Sequence, residues 1–165
     1  MSETEKVKIA ELRQDAANAR SHSAANIAAI KSSLKQFGQQ RPILVMRDGV
    51  VIAGNGTLVA AKALGWKEIE VKWTGLTGKE ARAYAIADNR TAELAEWDLP
   101  VLKDALLELD DGSFNMDATG FTQNEIELLM TAAAPEFTPG TEGDQGRLDI
   151  KKPIECPSCG HTWNP

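Results

Sequence analysis

The chain has 165 residues, of which 42% are hydrophobic and 25% charged, and its net charge is −6. This composition predicts one globular domain with small appendages and excludes a fibrous or wholly disordered chain. The negative charge argues against a broad basic surface that grips DNA unaided. No apolar run approaches the ~20 residues needed to cross a bilayer. The polar start lacks a signal-peptide core, so we expect a cytoplasmic protein with no membrane contact.

The first part of the chain predicts strands and one helix. Residues 7–12 form a candidate first strand. Ser23 is a suitable N-cap for a helix with one apolar stripe, formed by Ile27, Ile30, Leu34 and Phe37. An Asp-Gly pair then separates two β-rich runs, Ile43–Met46 and Val50–Ala53. Asp-Gly is a strong hairpin signal, so these two strands should pair antiparallel.

A glycine-rich turn follows the second strand of this hairpin. Its residues are Gly54, Asn55, Gly56 and Thr57. A helical pattern comes next, for which Thr57 is the expected cap and Gly65 the expected left-handed end. A strand that enters a helix through such a turn directs backbone N–H groups at one spot, which suits a phosphate or carboxylate. The alternative is that the glycines only make a tight turn between packed elements.

The second part of the chain predicts one strand and three helices. Residues 66–73 alternate between apolar and charged side chains, as in a half-buried strand. Residues 77–80 form a capping box that opens a helix running through residues 88–90 toward Trp97. Asp98 caps another helix. A second capping box, residues 122–125, opens a short last helix over residues 126–133.

The end of the chain changes in character. Residues 134–153 are rich in Pro, Gly, Thr and acidic residues and predict a flexible linker. Beyond it, Cys156, Cys159 and His161 form half of a zinc-knuckle pattern, in which two thiolates reach one ion from a tight turn. A closed zinc site needs four ligands, so a ligand from elsewhere, a second knuckle in a dimer or a partner protein must complete it. The alternative is a metal-free tail.

Four blocks follow one another in a fixed order along the chain. They are Asn18-Ala19-Arg20 with Ser21-His22-Ser23, Phe37-Gly38 with Gln40-Arg41-Pro42-Ile43, Ile52-Ala53-Gly54-Asn55-Gly56-Thr57 with Ala60-Ala61 and Leu64-Gly65, and Ile86-Ala87-Asp88-Asn89-Arg90 with Trp97-Asp98. Together they resemble the ParB/sulfiredoxin superfamily, above all the ParB-like N-terminal domains of phages and mobile elements, over roughly residues 7–98.

This resemblance implies a nucleotide site at residues 54–57. In the family, this turn holds nucleotide phosphates, those of CTP in partition proteins and those of ATP in sulfiredoxin. Family members usually carry arginine or histidine in the turn, where this chain has Asn55 and Thr57. These side chains hydrogen-bond an anion without offsetting its charge, so we predict weak nucleotide binding and little hydrolysis. Neither cysteine lies near the turn, which excludes sulfiredoxin activity.

The resemblance also implies roles for residues outside the turn. Arg20 and Arg90 would supply the missing positive charge, if the fold brings them there. Their alternative role is surface ion pairing, for example of Arg90 with Glu93 or Glu96. Asp88 and Asn89 are candidates for binding a metal ion or a ribose hydroxyl, and otherwise are polar helix positions that face water.

The predicted architecture is an α+β ParB/sulfiredoxin-like domain, with a small mixed sheet and packed helices, over residues 1–98. A helical extension (99–133), the linker (134–153) and the zinc-knuckle-like tail (154–165) follow it. The predicted function is a non-catalytic role in a DNA transaction such as partition, packaging or support of a DNA methyltransferase. DNA binding is expected to be weak or to require a partner protein, and the chain is a candidate homodimer. The alternatives are a metal-dependent nuclease or nucleotidase, and an adaptor whose tail does the work.

Overall fold

The computed structural model describes residues 4–131, 154–155 and 157–163. The chain divides into two compact units, Met1–Ala132 and Ala133–Pro165. The predicted linker, residues 134–153, lies outside the described residues, as does Cys156. Within the described ranges, no helix has the length and apolar character that a bilayer crossing requires.

A mixed sheet forms the centre of the first unit. Its five strands are β1 (Thr4–Lys8), β2 (Arg13–Gln14), β3 (Ile43–Met46), β4 (Val50–Ala53) and β5 (Glu68–Thr74). Their order across the sheet is β1-β5-β3-β4-β2. The pairs β1–β5 and β3–β4 are antiparallel, whereas β3–β5 and β2–β4 are parallel. The predicted mixed sheet and the predicted β3–β4 hairpin are therefore confirmed.

Five helices accompany the sheet. They are α1 (Ala24–Phe37), α2 (Asn55–Ala63), α3 (Gly78–Glu93), α4 (Leu99–Leu109) and α5 (Gln123–Thr131). Ser23 caps α1, because its hydroxyl accepts the N–H of Asn26 at 3.1 Å. Asp98 caps α4 in the same way, accepting the N–H of Val101 at 3.2 Å. Both predicted caps are confirmed.

The prediction of a first strand over residues 7–12 is wrong. The strand ends at Lys8, and residues Ile9–Glu11 form a 3₁₀ turn. Ile9 and Leu12 are both buried, at 5% and 3% exposure. A straight strand would point side chains three residues apart to opposite faces, whereas the turn buries both in one core. It also carries the chain from the β5 edge of the sheet to the β4 edge.

The core lies where α1 and α2 cover the sheet. Its largest fully buried side chains are Leu58, Ile69, Val45, Val51 and Val71. The alternation predicted for residues 66–73 is confirmed, since Ile69 and Val71 are buried while Glu68 and Lys72 are exposed. Full burial of such aliphatic side chains stabilises a fold by about 1.5–3 kcal/mol each. These residues therefore provide the rigid support on which the β4–α2 turn sits.

The two predicted capping boxes differ in outcome. Thr77 is the N-cap of α3, but its side chain makes no capping hydrogen bond. In the second box, the N–H and the hydroxyl of Thr122 each donate to Glu125 Oε2 at 2.7 Å. The Glu125 N–H returns a bond to the Thr122 hydroxyl at 3.3 Å. Only this second box is formed, and it opens α5.

We expect the start of α5 to depend on pH. The Thr122 N–H and hydroxyl hold the pKa of the Glu125 carboxyl below its ordinary value. Because the pKa is lowered in the folded state, the carboxylate stabilises the helix start fully above the unfolded pKa. That contribution is lost as the pH falls through the lowered folded pKa. The protection factors of amides in the first turn of α5, which correct for the intrinsic exchange rate at each pH, should therefore fall in acid.

The control is a comparison of two neutral variants. Glu125→Gln keeps a box-forming side chain but cannot titrate, so the acid-induced loss of protection at α5 should disappear. Glu80→Gln changes the matching position of the box that is not formed and should leave α5 unaltered. Equal pH profiles for the wild type and Glu125→Gln would contradict the assignment.

Candidate nucleotide-binding site

The turn between β4 and α2 is organised by Gly54. Its backbone is left-handed, with φ 90° and ψ 24°, and it is the N-cap of α2. A Cβ atom at this position would lie 2.5 Å from Ile43 Cγ2, so a larger residue has no room. The prediction that Thr57 caps the helix is wrong, because α2 already begins at Asn55. Gly65 is left-handed as predicted, with φ 78°.

The Asn55 side chain joins three segments of the chain. It is 5% exposed, and its Nδ2 donates to the Val51 carbonyl at 3.0 Å. Its Oδ1 accepts the N–H of Asp15 at 3.3 Å, across 40 positions of sequence. These bonds engage both ends of the amide. We predicted that this side chain would hydrogen-bond an anion. The two bonds use its oxygen and one of its two N–H groups, so its part in anion binding stays a prediction.

The bond to Asp15 brings the segment before α1 to the turn. Within that segment, the Asp15 carboxylate accepts the N–H of Ala17 at 2.9 Å. Asn18 then holds the backbone of Arg20 from both sides. Asn18 Nδ2 donates to the Arg20 carbonyl at 2.9 Å, and the Arg20 N–H donates to Asn18 Oδ1 at 3.3 Å. Arg20 is thus fixed beside the turn by hydrogen bonds that start at Asn55.

Gly56 is required for packing between helices. A Cβ atom there would lie 2.8 Å from His22 Cε1 and 2.9 Å from Ile30 Cδ1. Both side chains belong to the α1 side of the α1–α2 contact, and His22 is held by Asn26 at 2.7 Å. The alternative interpretation, a glycine that lets packed elements approach, therefore accounts for Gly56. Its N–H still lies in the first turn of α2, where N–H groups have no partner within the helix.

Two adjoining cavities open at the turn. The first, called the turn cavity here, has about 130 Å³ and is lined by residues 54–57 together with Asn18, Arg20, His22, Asp88 and Asn89. The second, called the sheet cleft, has about 930 Å³ and lies between the sheet and α3. Its polar and aromatic lining includes Arg20, Arg41, Lys72, Trp73, Tyr84 and Asp88. Gly54, Thr57, Arg20, Asp88 and Asn89 line both, so the two cavities are one continuous concave surface.

Most of the predicted nucleotide-site residues line this surface. Arg90 instead lines a third cavity of about 320 Å³, which adjoins the turn cavity at Asn18, Arg20 and Asn89. Its Nη1 lies 3.4 Å from Glu93 Oε2, one of the ion pairs named as the alternative for this arginine. Asn89 donates from Nδ2 to the Ala85 carbonyl at 2.7 Å. The Tyr84 hydroxyl lies 3.5 Å from Asp88 Oδ1.

The sequence interpretation missed two cations of the sheet cleft. Arg41 precedes β3, and Lys72 lies on β5 at a position predicted only to face away from the core. With Arg20, they place three cations in the lining of the cleft together with the carboxylate of Asp88, while Arg20 also pairs with Glu93 at 2.8 Å. The chain of net charge −6 therefore gathers positive side chains at the sheet cleft. The signal for Arg41 was its place in a block resembling the family, whereas Lys72 has no local signal.

Gln39 positions Arg41. Its Nε2 donates to the Glu70 carbonyl at 2.8 Å and its Oε1 accepts the Glu70 N–H at 2.7 Å. The same Nε2 lies 3.0 Å from the Arg41 carbonyl. The Gln39 amide thus pairs with the backbone of β5 as a neighbouring strand would, and it holds the segment that enters β3. Arg41 is therefore anchored to the sheet.

The second unit contains a short hairpin. Strands β6 (Ile154–Glu155) and β7 (Thr162–Trp163) pair antiparallel. Between them, Cys159 and His161 are exposed, and Gly160 has φ 71°. No group of three His, Cys, Asp or Glu residues that could hold a metal occurs in the part of the chain that the structure describes. Cys156 lies outside that part, so the zinc site stays a prediction.

Fold and site together define an α+β domain with a glycine turn that opens into a cationic cleft. The model of the ParB N-terminal domain matches residues 1–90, which is 90 of the 165 residues. The chain belongs to this family. It is 39% identical over 83 residues to the ParB-like nuclease domain-containing protein YnaK of Escherichia coli strain K12, covering 47% of this chain and 95% of YnaK. The resemblance seen in the sequence is confirmed.

A solved structure gives the same assignment of the fold. The C-terminally truncated chromosome-partitioning protein ParB from Caulobacter crescentus, complexed with CTP-gamma-S, superposes with a TM-score of 0.65. The match has 15% identity and covers 78% of this chain and 77% of that one. Sulfiredoxin from Arabidopsis thaliana matches with a TM-score of 0.42 and 24% identity, covering 51% of this chain and 97% of its own.

We expect Asn55→Ala to weaken the whole site. The change leaves the Val51 carbonyl and the Asp15 N–H without their side-chain partner. Loss of a partner for buried polar groups costs about 1–3 kcal/mol. The free energy of unfolding, measured by urea denaturation, should decrease by about 1–3 kcal/mol. Amide exchange around Arg20 should accelerate.

Asn124→Ala is the matched control. Asn124 is exposed in the first turn of α5, so its removal should change stability by less than about 0.5 kcal/mol. Equal losses for the two variants would mean that the Asn55 bridge does not hold the turn.

Proposed function

We propose that this protein binds a nucleoside triphosphate at the β4–α2 turn and takes part in a DNA transaction without hydrolysing the nucleotide. The observation that carries this proposal is the continuous concave surface formed by the turn cavity and the sheet cleft. At its centre lie the free N–H groups at the start of α2, and around it stand Arg20, Arg41 and Lys72. Backbone N–H groups at a helix start and nearby cations are the donors that phosphates require.

The cations replace the charge that the turn itself lacks. Relatives with arginine in the turn are expected to hold phosphates from within the motif, whereas here the charge comes from three separate segments. Arg20 lines both cavities, while Arg41 and Lys72 line only the sheet cleft. We therefore place the phosphate nearest the helix between the turn and Arg20. The remaining phosphates extend into the sheet cleft.

Asp88 and Asn89 are assigned to the metal or sugar end of the ligand. A carboxylate beside phosphates repels them unless a divalent cation lies between, and Mg²⁺ is commonly held by one or two carboxylates plus phosphate oxygens. Asp88 lines both cavities and is exposed, so it can take this place. Tyr84 and Trp73 offer aromatic surface in the same cleft for a base.

The DNA part of the proposal rests on the family and on its named members. The Caulobacter neighbour is a chromosome-partitioning protein in complex with a CTP analogue. A role in partition, packaging or support of a DNA methyltransferase is the corresponding proposal for this chain. With a net charge of −6, its contact with duplex DNA should depend on a partner or on local charge.

A second candidate is a metal-dependent nuclease or nucleotidase. The name of the relative YnaK, which carries a ParB-like nuclease domain, favours it. This candidate requires a divalent ion at Asp88 and product formation from plasmid DNA or from the nucleotide. The binding experiment below separates the two candidates when its samples are also analysed for hydrolysed products.

We expect calorimetry with CTP, ATP and GTP in the presence of Mg²⁺ to detect binding of at least one nucleotide. Arg20→Ala, Arg41→Ala and Lys72→Ala should each weaken it by about fivefold, since an exposed charged contact is worth up to ~1 kcal/mol. Thr57→Arg should strengthen binding, because it restores a forked donor at the third residue of α2.

Lys67→Ala is the control for this panel. Lys67 is exposed just before β5 and lines none of the three cavities, so its removal should leave affinity unchanged. Absence of heat with every nucleotide, in the wild type and in Thr57→Arg, would reject nucleotide binding. Nucleotide or plasmid cleavage that is lost in Asp88→Asn would instead establish the enzymatic candidate.

For the tail, we propose a zinc site that uses Cys156, Cys159 and His161. The hairpin of β6 and β7 supports it, because Glu155, the residue before Cys156, pairs with Thr162, the residue after His161. Metal analysis of the reduced full chain should find up to one zinc per chain or per dimer. Cys156→Ser with Cys159→Ser should remove it, while the melting of the first unit stays nearly unchanged.

His161→Ala tests the third ligand of this site. It should weaken zinc retention against a chelator while the cysteines are intact. A reduced wild-type chain at neutral pH that carries no zinc and takes up none would reject the site.

A further inference from the structure

One carboxylate connects the two predicted arginines. Glu93, the last residue of α3, accepts from Arg20 Nη1 at 2.8 Å through Oε1. Its other oxygen, Oε2, lies 3.4 Å from Arg90 Nη1. The contact with Arg20 joins residues 73 positions apart, whereas Arg90 lies one turn away on the same helix. Glu93 thus forms a bridge between the segment before α1 and the end of α3.

Arg20 stands where all the cavities meet. It lines the turn cavity, the sheet cleft and the third cavity, which also contains Arg82, Arg90 and Glu93. Its guanidinium can therefore point toward Glu93 or toward the turn while its backbone stays held by Asn18. The side chains of Arg20 and Glu93 are 43% and 49% exposed, so water can solvate either partner when the pair separates.

We propose that Glu93 is an internal competitor for the anion that the turn binds. In the ligand-free protein its carboxylate engages Arg20, and an incoming phosphate takes Arg20 away from it. This inference rests on the proposed nucleotide site and adds its regulation: Glu93 lowers the affinity of the turn for phosphate.

The exchange leaves no group without a partner. When Arg20 turns to the phosphate, Glu93 keeps Arg90, and Arg82 lines the same cavity. Arg20 exchanges one carboxylate for a phosphate of higher charge, which favours the bound form. Because exposed ion pairs contribute little free energy, separating Arg20 from Glu93 costs little. A ligand with several phosphates offsets that cost. A singly charged anion gains less from the exchange.

The test compares affinities of Glu93→Gln and Glu96→Gln for CTP, ATP, GTP and inorganic triphosphate. Glu96 is exposed three residues beyond Glu93 and has no ion pair in the part of the chain that the structure describes. Both variants remove one negative charge near the site, and only Glu93→Gln frees Arg20. We expect Glu93→Gln to bind about two- to fivefold tighter than Glu96→Gln, the range that exposed ion pairs allow.

A double-mutant cycle shows whether the gain acts through Arg20. In an Arg20→Ala background, Glu93→Gln should give no gain beyond that of Glu96→Gln. Circular dichroism verifies that each variant is folded before titration. A gain that persists without Arg20 would mean a general charge effect and would overturn the proposal. Weaker binding by Glu93→Gln would also overturn it, because Glu93 would then be positioning Arg20 for the ligand.

The two ligand types keep this proposal separate from the proposed function. Nucleotide binding with equal affinities for Glu93→Gln and Glu96→Gln would reject the competitor and leave the nucleotide site standing. Tighter binding of inorganic triphosphate by Glu93→Gln alone, with no binding of any nucleotide, would keep the competitor and reject the nucleotide. Failure of every variant to bind either ligand would reject both.

Discussion

The site depends on one buried amide. Asn55 bonds the Val51 carbonyl at the end of β4 and the N–H of Asp15 in a distant segment. Because the group is 5% exposed, water cannot replace either bond at low cost. Aspartate could not donate to Val51, and a longer amide would not fit beside the buried Val51 and Leu58 without displacing them. Asparagine at this place is thus explained by the link it makes between segments.

The sheet cleft brings together a charge pattern that is absent from any single segment. Arg20 comes from the chain before α1, Arg41 from the entry to β3, and Lys72 from β5. The residues next to each of them in the sequence are uncharged. For this reason neither the net charge nor the motifs predicted a cationic cleft. In space they line one cleft with Asp88. The family's charged turn is thereby matched by charges drawn from the scaffold.

The features that the sequence predicted correctly are those whose chemistry lies within a few residues. The caps by Ser23 and Asp98, the hairpin turn and the left-handed Gly65 are of this kind. The features that it missed depend on contacts across long separations, such as Asn55 with Asp15. Arg20 and Asp88, which the family resemblance assigned to the site, line the turn cavity, whereas Arg90 lines the adjoining third cavity, because residues close together on a helix point to different sides.

The anchoring of Arg41 by Gln39 has a consequence for the entropy of binding at the proposed nucleotide site. All three cleft cations have a restrained backbone: Arg41 through the Gln39 amide, Arg20 through Asn18, and Lys72 within the ladder of β5. A ligand then has only side-chain rotamers to order, at about 0.5–1.5 kcal/mol for each side chain, with no loop to fold. A modest number of charged contacts suffices for binding under this condition. Preorganisation of the backbone can thus compensate for the arginine that the turn lacks.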